Sequence, residues 1–194
     1  MSIQKLKEFI SQKFSLELPR QISYHGFHHT LHVLKVCNDY IRRLKINSKD
    51  AKLLRTAALF HDVGVLWDYQ NHEAEGVEFM RKTLPQWGYS KSDIEIVANM
   101  IYATKLPQSP KTELEQILCD ADVDYLGTDL FYEIGETLYQ EFLSVGVVKS
   151  EEDWDRLQVK FLENHKYHTP FAQKNREPRK RKYIQAIKDK WQWK

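Results

Sequence analysis

At 194 residues, 42% hydrophobic and 29% charged, the chain has the composition of a soluble globular protein and fits one ordinary domain with a substantial core. Its formal charge of +2 conceals an asymmetry: residues 174–194 hold nine Lys or Arg against Glu177 and Asp189, about +7 locally, so the first 173 residues sum to about −5. The two cysteines, Cys37 and Cys119, sit among apolar residues at helical spacing and are expected as buried reduced thiols, which excludes a disulfide framework and a thiolate metal site.

The amino-terminal "MSIQKLKEFISQKF" is charged and amphipathic without an apolar run, so it reads as a helix over roughly 2–14 and not as a secretory signal or membrane span. A cytoplasmic protein follows as the expectation. Next, "YHGFHHTL" packs three of the eight histidines into five positions before a helix over 28–45, whose stripe is Leu31, Leu34, Cys37, Ile41 and Leu44. A third helix, 48–62, carries Leu53, Leu54, Ala57, Ala58 and Phe60 and ends in "LFHDVG", where Gly64 frees the backbone. Helices over 72–84 and 91–103 stop at Pro85 and at "LPQSP". Further helices are expected over 112–126, 129–143, 151–164 and 175–192. Ser90 with Asp93, Thr112 with Glu115 and Ser150 with Asp153 each pair a hydroxyl cap with a carboxylate three residues on. The aromatic Phe131 and Phe142, at helical spacing with Ile134 and Leu138, read as core. The basic "REPRKRK" has no aromatic base-stacking motif beside it and reads mainly as a solvated helix face or salt-bridge donor surface. The expectation is an all-α domain of eight or nine helices without repeat or linker.

Several residues in this frame carry chemistry. Neighbours inside a helix diverge by about 100°, but at a helix end the chain can turn so that His61 and Asp62 converge on one ion. A His-Asp pair alone is a weak signal. In "ILCDADVDYLGTD", however, carboxylates interrupt an apolar stripe of Leu114, Ile117, Leu118, Ala121 and Tyr125, with Asp122 at its edge. A buried unpaired carboxylate costs several kcal/mol and needs a cation, a proton or a hydrogen-bonded partner. Asp120 and Asp124 point elsewhere on the helix and are assigned to solvent or cap duties.

His29, the pair His61-Asp62 and Asp122 together resemble the pattern of the HD-domain metal-dependent phosphohydrolases, over roughly residues 22–130. Tyr24, His25 and His29 are also similar to the Tyr-His-Asn-x-x-His segment of its cyclic-nucleotide phosphodiesterase branch, with Gly26 in place of Asn. The "DAD" followed by "YLG" is similar to the fourth-ligand helix of small bacterial members, and Asp122 is preferred over Asp120. The resemblance implies a single HD-type domain over 1–194, with its metal-site core at about 22–130, helices over 131–194 packing on it and the basic tail at 174–194.

It further implies metal ligands His29, His61, Asp62 and Asp122, and His25 and Asp62 as catalytic residues, with His25 the proton donor. One divalent ion is expected, from among Mn, Fe, Co, Ni, Zn and Mg, because two imidazoles and two carboxylates form a borderline donor set. Such an ion activates water for attack on phosphorus. His72 is a candidate phosphate contact or ligand to a weak second metal, and Lys105 a candidate phosphate contact; His28 and His32 are expected at the surface. His165, His168 and Arg176 carry less weight. The substrate is expected to be a phosphomonoester or phosphodiester, a small nucleotide foremost, with Trp67, Tyr69 and Tyr125 available to stack a base or, more commonly, to pack. Members that hydrolyse guanosine alarmones carry a Glu-Asp pair shortly after the HD, and "HDVGVLWDYQ" lacks it. No membrane partner is expected, nucleic acid is disfavoured, and a homodimer is compatible with the sequence. The alternatives are a non-catalytic HD-like nucleotide-binding or regulatory module, and nucleic-acid binding through 174–194.

Overall fold

The computed structural model describes residues 2–194, which form ten α-helices and no strand. They are α1 (Ile3–Glu17), α2 (Phe27–Leu44), α3 (Ser48–Phe60), α4 (His72–Thr83), α5 (Lys91–Thr104), α6 (Glu113–Asp122), α7 (Phe131–Ser144), α8 (Glu151–Asn164), α9 (Pro170–Asn175) and α10 (Glu177–Trp191). The nine long ones correspond to the nine periodic segments. The short α9 falls between the last two expected segments, 151–164 and 175–192, where no helix was expected: Thr169 caps it by accepting from the Ala172 amide, and Pro178, lacking an N–H, stops its ladder from running on into α10. Helix α6 is shorter than expected, because the chain tightens into a 3₁₀ turn over Asp124–Gly127. Caps form where hydroxyls were placed: Ser90 accepts from the Asp93 amide, Thr112 from that of Glu115 and Ser150 from that of Asp153.

The chain divides into two compact units, one running to Pro19 and resuming over His25–Asp122, the other made of Arg20–Tyr24 and Val123–Lys194. In the first, α3 is the central element, with α1, α2, α4, α5 and α6 all against it. Its small Ala57 and Ala58 let neighbours approach, and Leu53, Leu54, Leu59 and Phe60 are buried, each worth about 1.5–3 kcal/mol relative to exposure. A polar group in that core is satisfied: the Thr56 hydroxyl donates to the Lys52 carbonyl at 2.8 Å and accepts from Tyr89 at 2.6 Å. Cys37 and Cys119 are buried free thiols, and burial pushes both far above their ordinary pKa.

The second unit has its own core of Tyr24, Tyr125, Leu126, Phe131, Val159, Leu162 and Ile187. Within this unit most basic side chains of the tail are paired: Arg179 with Asp129, Arg181 with Glu177, Lys188 with Glu163, and Lys190 with both Glu151 and Asp155. No helix among the described residues is long and apolar enough to cross a membrane.

Gly64 works differently from its expected role. Its φ is not in the left-handed region; instead a Cβ there would stand 1.9 Å from the His72 carbonyl oxygen and 2.6 Å from the Gly76 nitrogen. Glycine is required because the 3₁₀ turn Val63–Leu66 and the start of α4 touch backbone to backbone.

Candidate metal centre

Helix α3 ends at Phe60, His61 follows in right-handed geometry, and Asp62 leaves the helix at φ −109 and ψ 4. That turn lets adjacent side chains converge, with His61 Nε2 3.1 Å from Asp62 Oδ2. Because α3 is the central helix of its unit, its end is buried, and His61 is fully enclosed. Helix α2 contributes His29, whose Nε2 lies 3.2 Å from His61 Nε2 and 3.3 Å from Asp62 Oδ2. The last residue of α6, Asp122, adds Oδ1 at 3.0 Å from His29 Nε2 and 3.5 Å from His61 Nε2. One ligand atom from each of the four residues falls within 4.8 Å of all the others.

This arrangement has too many acceptors to be self-sufficient. The Nδ1–H of His61 donates to the Ala58 carbonyl at 2.9 Å, so the neutral ring presents its Nε2 lone pair to the cluster. Asp62 Oδ2 is buried without a hydrogen bond although two imidazole nitrogens face it. Lone pairs that meet in a buried space call for a proton or a cation between them. Without a metal, protons answer the need: burial pushes His61 down, but Asp62 and Asp122 more than reverse this and hold it well above its usual range. Conversely, burial pushes Asp62 and Asp122 up, while the imidazoles bring both well below the ordinary carboxylate value. A divalent ion fits the same place, with two nitrogen and two oxygen donors of mixed hardness.

Around the cluster, half-buried His25 has its ring centroid 6.2 Å from His29, 5.7 Å from His72 and 5.7 Å from Tyr69. His72 begins α4; its Nδ1–H donates to the Tyr69 carbonyl, leaving Nε2 at 3.6 Å from Asp62 Oδ1 and 3.4 Å from Glu73 Oε1. Lys105 is exposed as the C-cap of α5, and no hydrogen bond or ion pair joins its side chain to the cluster among the described residues. His28 is exposed, whereas His32 is half-buried with Nε2 enclosed. Tyr69 lies edge-on to His25, Trp67 packs on Phe79, and Tyr125 belongs to the core of the second unit.

Two expectations are corrected. Asp120 is fully buried rather than solvated, because α6 packs against α2, α3 and α5 and leaves almost no face to water. Asp124 is also buried and serves as neither cap nor solvated group: Arg176 Nε and Nη2 donate to its two oxygens at 2.7 and 3.3 Å. Of the three carboxylates in "DADVD", Asp122 is the one brought to the histidines. A further group escaped the sequence reading. Glu73 is buried beside His72 with Oε2 lacking a hydrogen bond, and its only signal was its place directly after a histidine in "NHEAEG".

Comparison with known proteins agrees with this geometry. Residues 26–124 match the model of the HD domain, a span that contains all four clustered residues. Among curated proteins, none matches the chain. Similar solved structures include a predicted HD superfamily hydrolase from an uncultured Thermotogales bacterium, at 19% identity, TM-score 0.62, and coverage of 97% of this chain and 92% of that one. Bacillus subtilis YpgQ in complex with ADP is similar at 15% identity and TM-score 0.64, over 97% of each chain. A Lactobacillus plantarum protein is similar at 15% identity and TM-score 0.68, over 98% of this chain and 96% of its own.

Proposed function

The chain belongs to the HD-domain family, and we propose from that premise that it is a metal-dependent phosphohydrolase that cleaves a phosphomonoester or phosphodiester bond of a nucleotide. The observation that carries this reading is the convergence of His29 Nε2, His61 Nε2, Asp62 Oδ2 and Asp122 Oδ1 in one buried, acceptor-rich space. A divalent ion bound there supplies Lewis acidity to a phosphoryl oxygen and lowers the pKa of an attacking water.

The chain's own residues perform the rest. The Ala58 carbonyl fixes the His61 tautomer, and with it the direction of the Nε2 lone pair. Asp62 faces two ways, Oδ2 toward the imidazoles of the cluster and Oδ1 toward His72. His25 stands between His29, His72 and Tyr69, half open to solvent, and gives a proton to the leaving oxygen. His72 turns Nε2 toward Asp62 Oδ1 and Glu73 Oε1 at the edge of the cluster and contacts a phosphoryl oxygen of the substrate. Lys105, exposed at the C-cap of α5, is kept as a candidate phosphate contact. The ADP held by YpgQ supports a nucleotide as the substrate class.

The test is elemental analysis of the purified protein together with a panel of nucleotide phosphomonoesters and phosphodiesters assayed in Mn, Mg, Co and Ni. One ion per chain with turnover on a member of the panel is the expected result. Bound nucleotide without turnover in any metal would replace the enzyme with a binding module.

A further inference from the structure

Residues 67–71 join the 3₁₀ turn Val63–Leu66 to α4, and their main chain is tied at both ends. The amides of Trp67 and Asp68 donate to the Gly64 carbonyl at 2.9 and 3.0 Å, and the Asn71 carbonyl accepts from the Glu75 amide at 3.1 Å. Between these anchors a single side chain closes the loop. Asp68 Oδ1 accepts from the amides of Gln70 and Asn71 at 2.8 and 3.1 Å, and its Oδ2 accepts from the Asn71 carboxamide at 3.2 Å. Asn71 stands where an asparagine commonly caps a helix, yet its side chain makes no cap bond to α4. It turns back to Asp68 instead, so the start of α4 gives up a stabilising cap in favour of a fixed loop.

Tyr69 lies inside that closed turn and acts in two directions. Its carbonyl accepts the His72 Nδ1–H at 3.0 Å, and its ring stands edge-on to His25, with centroids 5.7 Å apart and planes at 87°. The rings of His25 and His72 are in turn 5.7 Å from each other. A carbonyl orients a ring only as firmly as its own loop is held, and a misplacement of about 1 Å at a reacting group costs about a hundred-fold in rate.

We propose that Asp68 is a positioning residue for this pair of histidines: its carboxylate locks residues 67–71 so that the Tyr69 carbonyl sets the His72 ring and the Tyr69 side chain sets the His25 ring. This role rests on the functions proposed above for His25 and His72. The two contacts of Tyr69 are separable, because replacing its side chain leaves its carbonyl in place.

The experiment compares Asp68→Ala, Asp68→Asn and Tyr69→Ala with wild type, all as the full chain, with circular dichroism for folding and elemental analysis for bound metal. NMR of the Mg-loaded protein carrying isotope-labelled histidine reads the first contact without turnover. The His72 Nδ1–H signal, assigned by its loss in His72→Gln, is expected in wild type, in Tyr69→Ala and in Asp68→Asn, whose amide oxygen still accepts from Gln70 and Asn71. In Asp68→Ala it is expected to be lost to exchange with water. On a nucleotide of the panel that wild type turns over, Tyr69→Ala should lower kcat about ten-fold with KM kept, because His25 acts only as the proton moves. Asp68→Ala should lower kcat as much and also raise KM, because His72 contacts the phosphoryl oxygen in ground and transition states alike. Asp68→Asn should recover most of both, and bound metal should be unchanged throughout. A retained His72 signal or wild-type kinetics in Asp68→Ala, equal losses in Asp68→Ala and Asp68→Asn, or an undiminished kcat in Tyr69→Ala would overturn the assignment; the last decides it alone if Asp68→Ala does not fold. Absence of turnover in wild type would remove the hydrolase reading instead, and the His72 signal would still decide whether Asp68 holds the ring.

Discussion

In the second unit each of the following buried charges meets its complement inside the unit, whereas the first unit gathers groups that oppose one another. Arg176 clasps Asp124 through two nitrogens, and buried Glu141 accepts the Tyr24 amide at 2.6 Å. Lys180, 1% exposed, donates to the His165 carbonyl and pairs with Glu177 at 3.0 Å, which offsets part of the downward push that burial exerts on its ammonium. In the first unit, two imidazole nitrogens and two carboxylate oxygens point at a common centre and need an agent from outside the chain. Closure therefore identifies a structural pair, and a surplus of lone pairs identifies a place where something must bind.

The contrast predicts that substitutions in the two units fail in different ways. Asp62→Ala should cost more than the roughly 10–100-fold that loss of an outer-shell partner removes, abolishing metal retention and turnover while circular dichroism shows the helices kept. Full activity in that variant would remove the proposed centre. Asp124→Ala should destabilise by about 2 kcal/mol in urea unfolding, less than a fully buried pair because the Arg176 side chain is 26% exposed, and should leave metal content unaltered. A drop in bound metal without a drop in stability would break the comparison.

A smaller effect is expected from pH, and its sign depends on the ion. The low pKa of Asp62 and Asp122 gives stability that is present above the unfolded carboxylate value of about 3.9 and is lost as pH falls through their folded values. The raised pKa of His61 gives stability that is full below about 6.5 and is lost as pH rises through its folded value. The metal-free protein should thus melt higher at about pH 5.5 than at about pH 8.5 as far as the cluster decides, while metal, which needs the unprotonated Nε2, should stabilise it more at the higher pH. Thermal melts with chelator and with added Mn at both pH values would show the crossing, and a parallel trend would contradict it. The smallest effect belongs to His28→Ala, where exposure predicts a change within about 0.5 kcal/mol and intact metal binding.

Local signals in the chain were easy to read and tertiary ones were not. The apolar period of α3, the hydroxyl caps at Ser90, Thr112 and Ser150, and the four residues His29, His61, Asp62 and Asp122 all declare themselves by spacing or by resemblance to a family pattern. Burial of Asp120 could not be read, since it depends on how many helices cover α6, and the fate of Asp124 depended on a guanidinium 52 positions further along the chain. The role of Gly64 was misread for a similar reason. A glycine after a helix suggests a turn, and nothing nearby in sequence announces a second backbone lying against it.

That contact bears on how freely such a centre can diversify. Because Gly64 abuts the carbonyl of His72 directly, the spacing between Asp62 and the first residue of α4 is set by main chain and not by interchangeable side chains. Substitutions around it, as at Tyr69 edge-on to His25, can therefore change the rim while the offset from His72 to the cluster stays constant. The glycine acts as a gauge block: the cluster keeps its dimension while its rim is redrawn.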